Sequence, residues 1–156
     1  MQRLIARLGL FHAALDWLGL FLALLGLRLV LAWEFWESAH MKITGANWFA
    51  EIQSQFPFPF NVVPPEISWN LAMVFETAGA FALLVGLATR YFAISLLILD
   101  LVAWYAVHAG HGYNVCDNGW KLPLLYAVML VPLVLRGAGR LSLDYWIGRR
   151  LGLSAQ

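Results

Sequence analysis

The sequence predicts an all-α protein: a four-transmembrane-helix bundle with short interfacial helices in its first outer loop and at its C-terminus. Three observations carry that prediction. Hydrophobic residues make up 62% of the 156 residues and charged residues only 12%, at a mean hydropathy of +0.71; a soluble domain carries about 25% charge. The apolar residues gather in runs that approach the ~20 residues needed to cross a bilayer. Three ionisable residues, Arg28, Glu76 and Asp100, lie inside separate runs of this kind. A charge in hydrocarbon costs several kcal/mol and normally faces a partner or a wet cavity, so these three define a polar interior.

The whole chain, 1–156, reads as a single membrane domain with spans at about 14–36, 65–88, 91–108 and 120–135. The first span follows Arg3 and Arg7, which gives it the look of a signal peptide. Asp16 and Arg28 interrupt the run and no small-x-small cleavage site follows, so a retained span is expected. Between the first two spans, Trp48, Phe49, Ile52 and Phe56 share one face at helical spacing, which predicts a short helix on the membrane surface. Pro57, Pro59, Pro64 and Pro65 then predict an extended stretch. Pro65 and Glu66 suit a helix start, where a missing N–H is harmless and a carboxylate meets the positive dipole end. The fourth span has an uninterrupted run only from Leu122 to Leu135 and needs Trp120 and the stem of Lys121 at the interface. Gly137-Ala138-Gly139 stops it. Ser142 can cap a last helix whose apolar face is Leu143, Trp146, Ile147 and Leu151, beside Arg149 and Arg150.

Orientation follows from the arginines. Arg3, Arg7, Arg90, Arg136, Arg140, Arg149 and Arg150 fall on one side of the spans, and only Lys42 and Lys121 on the other. The positive-inside rule puts both termini in the cytoplasm, and in a bacterium the loops 37–64 and 109–119 in the periplasm. A net charge of +1 gives no case for nucleic acid, and one cysteine, Cys116, excludes an internal disulfide or a dithiol relay within one chain.

Several motifs line up with one family. Lys42 and Trp48-Phe49 follow the first span. The second span carries Glu76-Thr77-Ala78-Gly79 and closes with Gly86-Leu87-Ala88-Thr89-Arg90. The last span ends in Gly137-Ala138-Gly139-Arg140-Leu141-Ser142-Leu143-Asp144. Over roughly residues 15–147 the chain resembles the DoxX family of small four-span bacterial membrane proteins. The resemblance implies a redox-associated inner-membrane subunit rather than a stand-alone enzyme. One branch is similar to the small subunit of thiosulfate:quinone oxidoreductase, another accompanies oxidative-stress enzymes, and a third accompanies maturation of copper-binding modified peptides.

Helical spacing says which charges can meet. Ala72, Glu76, Gly79, Leu83 and Gly86 share a face, and its small residues mark close helix contact. Gly19, Ala23 and Gly26 make a similar stripe beside Arg28. Asp100, Trp104, His108 and His111 form a line climbing to the outer surface. Counted at ~1.5 Å per residue, Arg28, Asp100 and Glu76 come to similar depth. The expectation is that Arg28 pairs with Asp100, Glu76 or both, the surplus negative charge being met by a protonated carboxyl or by a donor such as Tyr105, Trp104 or Thr77. The same trio would serve structure alone if it only fixes helix register.

At the outer rim, His108 and His111 are three apart and Cys116 follows, with Glu34, Glu37, His40 and Met41 at the same face. Such donors would suit copper better than magnesium or calcium. Most of the rim aromatics fit an interfacial belt, Trp104 standing apart because it shares the face of Asp100.

Three functional readings follow. In the first, a quinone or redox ligand sits at Arg28, Glu76 and Asp100 with Trp104 and His108 in contact. Arg28 would polarise its carbonyl, Asp100 or Glu76 would exchange protons, and His108 would relay them outward. In the second, His108, His111 and Cys116 handle copper or a copper peptide. In the third, the chain is a non-catalytic assembly partner. Each places it in a lipid bilayer with a partner protein or further copies of itself.

Overall fold

The computed structural model describes residues 2–152, and every regular element in them is helical. In chain order these are α1 (Gln2–Thr44), α2 (Pro65–Val85), α3 (Thr89–Ala103, running on as one π-helical turn, Trp104–His108), α4 (Lys121–Arg136) and α5 (Leu143–Arg150). The first four pack in a ring in which α1 touches α2 and α4, and α3 touches α2 and α4. Three stretches are long and apolar enough to cross a membrane: 8–44, 65–85 and 89–108. At 16 residues, α4 is shorter than these.

The larger of two apolar clusters draws on all four bundle helices. Leu31, Ala32 and Phe35 from α1 meet Ala80 and Leu83 from α2, Ala93 and Leu96 from α3, and Leu130 and Leu133 from α4. Gly79 allows the closest approach. A methyl group there would come within 2.8 Å of the Leu96 side chain, so α2 and α3 meet at that pair.

Helix ends follow the local chemistry. Pro65 opens α2, and Gly86 closes it in the left-handed region at φ 71°. Ser142 caps α5 by accepting from the Tyr145 N–H at 3.2 Å. Gly137 ends α4 with φ 76°.

The first helix differs from the expected span at 14–36. It continues to Thr44, where Gly45 closes it with an N–H to the Met41 carbonyl at 2.9 Å. Nothing between Trp36 and Thr44 breaks a helix; those residues only lower its hydropathy. Its core residues begin at Arg28 and Leu31, whereas 8–19 are exposed. The side chains of Arg3 and Arg7, which contribute to the charge asymmetry, lie outside the described part of the structure.

The first loop also differs. Residues 47–56 form turns and a single 3-10 turn, Gln53–Gln55, rather than an amphipathic surface helix. The Asn47 side chain accepts from the Phe49 N–H at 2.9 Å and turns the chain inward. Phe49 and Phe56 are buried against Trp69, so the aromatics plug the bundle end. The prolines after them sit in successive turns, closed by Phe60 N–H to Pro57 carbonyl at 2.8 Å and Val62 N–H to Pro59 carbonyl at 3.1 Å, not in an extended strand.

Candidate functional site

Arg28 does not pair with Asp100 or Glu76. Its guanidinium is buried at the end of the bundle where α2 turns into α3, and backbone carbonyls occupy it. Nε donates to Leu83 at 2.8 Å, Nη2 to Leu84 at 3.0 Å, and Nη1 to Ala138 at 3.0 Å and Leu141 at 2.7 Å. Two of those carbonyls belong to the last turn of α2, where a helix leaves its carbonyls without partners, and two to the non-helical segment that follows α4. The expectation failed because depth was counted from Trp36. With α1 running to Thr44, Arg28 lies ~24 Å from that end.

The family motifs meet at this junction. Asp144 accepts from the N–H groups of Ala88 at 2.7 Å and Thr89 at 2.9 Å, capping α3, and its own N–H donates to Gly86 at 2.9 Å. A methyl group at Gly86 would lie 2.5 Å from Ser142 Cβ and 2.6 Å from Arg28 Nη2. Glycine there lets the arginine and the tail approach the same turn.

All four bundle helices carry polar side chains that turn inward. Glu76 on α2 is 2% exposed. Its Oε1 accepts from Lys42 Nζ at 2.9 Å and from Ser38 Oγ at 3.1 Å, and Lys42 also donates to Ser38 at 2.9 Å. This is the one ion pair among the described residues. Asp100 on α3 is 4% exposed. Tyr126 on α4 donates to Glu34 Oε2 at 2.5 Å and lies within electrostatic range of Glu34, Asp100 and Glu37. Two buried carboxylate oxygens have no hydrogen-bond partner: Glu76 Oε2 and Asp100 Oδ2.

Glu76 and Asp100 are each buried, and the cation paired with Glu76 is Lys42, not Arg28. Nothing in the sequence reading joined Ser38 or Tyr126 to a carboxylate, and it placed Lys42 in the outer loop rather than beside Glu76. A signal for Ser38 and Lys42 was present: Glu34, Ser38 and Lys42 stand at i, i+4 and i+8, one line along α1.

The line Asp100, Trp104, His108, His111 is not continuous. The π turn widens the helix at Trp104–His108, and His111 lies beyond its end. Trp104 stacks on Trp120 with centroids 5.5 Å apart and planes at 10°. His108 Nδ1 lies 2.7 Å from the Asn118 carbonyl. The following loop folds back on itself through Gly119 N–H to Asn114 and Trp120 N–H to Gly112. Cys116 is exposed within it as a free thiol. The expected set His108, His111 and Cys116 is not assembled; among the described residues no three His, Cys, Asp or Glu side chains are grouped to hold a metal ion.

A membrane-type helical bundle with charged residues buried inside it is the class of protein these features define. The DoxX family profile matches residues 23–109, and the chain belongs to the DoxX family. An uncharacterized protein of Haemophilus influenzae is 58% identical over 122 residues, covering 78% of this chain and 81% of its own length. A second uncharacterized protein of that organism is 36% identical over 77 residues, covering 47% of this chain and 58% of its own. No solved structure matches.

Proposed function

We propose that this DoxX protein is a single-domain, four-span subunit of a redox system in the bacterial inner membrane, with both termini cytoplasmic, acting with a partner protein. Its ligand is a quinone head held at the buried carboxyl groups. The observation that carries this reading is the pair of buried carboxylate oxygens, Glu76 Oε2 and Asp100 Oδ2, left without partners. Buried polar atoms are normally satisfied, so orphaned ones mark a place for a further hydrogen-bonding group. The residues fit such a head: Lys42 Nζ can donate to a carbonyl, and a carboxylate can accept from a hydroxyl. When bound, a quinone supplies two-electron carrier chemistry. The chain supplies position, charge and proton exchange. Arg28 has no part at the ligand, because backbone carbonyls take its donors.

The test is chromatography with mass detection on an organic extract of gently purified protein. Near one quinone per chain is expected, reduced ~10-fold or more in Asp100→Asn, the scale of one charge-assisted hydrogen bond. Quinone no higher than the lipid background would overturn the reading.

A further inference from the structure

Asp16 interrupts the apolar run of α1, and Arg136 closes α4. Both are exposed. They border one open groove of about 490 Å³, whose other residues are Leu15, Gly19, Ala23 and Leu24. The two charges line this space without bonding each other, since the one ion pair among the described residues is Lys42–Glu76. Asp16, Gly19 and Ala23 stand at i, i+3 and i+7 and share one side of α1. A methyl group at Gly19 would meet nothing within 4 Å, so the floor of the groove is open. Trp17 is exposed beside Asp16, and tryptophan with arginine at the ends of spans marks the headgroup depth of a bilayer.

The lining specifies an occupant with three parts. A guanidinium takes a phosphate through paired N–H donors. A carboxylate next to hydrocarbon needs a cation, and a primary ammonium offers it three donors. The leucine, glycine and alanine surface suits a hydrocarbon stem. Inorganic phosphate lacks the last two parts. A phosphatidylglycerol head lacks the cation and would bring its negative charge towards Asp16. A phosphatidylcholine head carries its positive charge without an N–H. We propose that the groove binds the head of phosphatidylethanolamine, with its phosphate on Arg136, its ammonium on Asp16 and its glycerol end over Gly19 and Ala23.

Reconstitution of the full-length protein in vesicles of equal parts phosphatidylethanolamine, phosphatidylglycerol and phosphatidylcholine tests this, read by mass spectrometry of the lipid retained after mild detergent extraction. Phosphatidylethanolamine should be retained ~10-fold over either competitor, the scale of one charge-assisted hydrogen bond. Asp16→Asn should bring it down to the level of phosphatidylcholine, and Arg136→Gln should lower retention of all three lipids. Gly19→Leu keeps both charges, favours the helix and fills the groove, so it should also abolish the preference. Arg150→Gln, outside the groove, should leave the preference unchanged, and free phosphoethanolamine should not displace the lipid. Equal retention of the three lipids by the unmodified protein would overturn the site. So would a preference that survives Asp16→Asn or Gly19→Leu, retention unaltered in Arg136→Gln, or loss of the preference in Arg150→Gln. Displacement by free phosphoethanolamine would overturn the lipid as the occupant.

Discussion

Arg28 illustrates how a buried cation can be satisfied without a counter-ion. Four carbonyls around one planar guanidinium provide a matched set of acceptors, which an ammonium on a flexible stem could not engage together. Arg28→Lys is expected to lower the unfolding free energy by roughly 3 kcal/mol, the scale of losing two or more hydrogen bonds from a charged donor. Thermal unfolding in detergent would read this, and a loss under about 1 kcal/mol would show that the clamp is not formed. The arginine was visible in the sequence as a charge inside an apolar run, and its burial was legible there. Its partners were not, because backbone carbonyls leave no mark in a residue pattern. The burial of Glu76 was legible for another reason: small residues beside it showed which face meets its neighbours. Lys42 was missed because the density of polar residues from Glu34 onward made α1 look finished.

At the scale of elements, the segment after α4 is held by the groups that cap other helices. Asp144 caps α3 while Ser142 caps α5 two residues earlier. Asp144→Ala removes a carboxylate from the N-terminus of α3 and should cost about 1 kcal/mol, again read by thermal unfolding. It should not change retention of any ligand at the buried carboxyl groups, and a variant that loses ligand while keeping its stability would contradict this separation of the two sites. The spans α2 and α3 were legible to within a few residues, because proline and glycine punctuate their ends. The helix expected at 47–56 was not, because its spacing of aromatics served equally well to plug the bundle with Phe49 and Phe56.

For the molecule as a whole, the two ends are chemically distinct. One carries the Arg28 clamp, with Arg90 beside the end of α4; the other carries the aromatic plug and the loop with Cys116. The proposed topology puts that loop in the periplasm. A membrane-impermeant maleimide should therefore label Cys116, the one cysteine in the chain, in intact spheroplasts. Labelling only after lysis would invert the orientation. Overall architecture followed from composition and hydrophobic runs, since the bilayer dictates what an apolar chain can do. Which charges met inside it depended on helix lengths, where an error of eight residues at the end of α1 moved Arg28 to the wrong end of the bundle.

The clamp also fixes an order in time. Arg28 precedes two of its acceptors, Ala138 and Leu141, by 110 and 113 residues. At the ~5–20 residues per second of synthesis, the arginine waits several seconds or more before those partners exist. During that interval the Arg28 guanidinium lacks two of its four carbonyl acceptors. Completion of the last segment ends the wait, so the polar seal of the bundle closes only when the rest of the chain has been made.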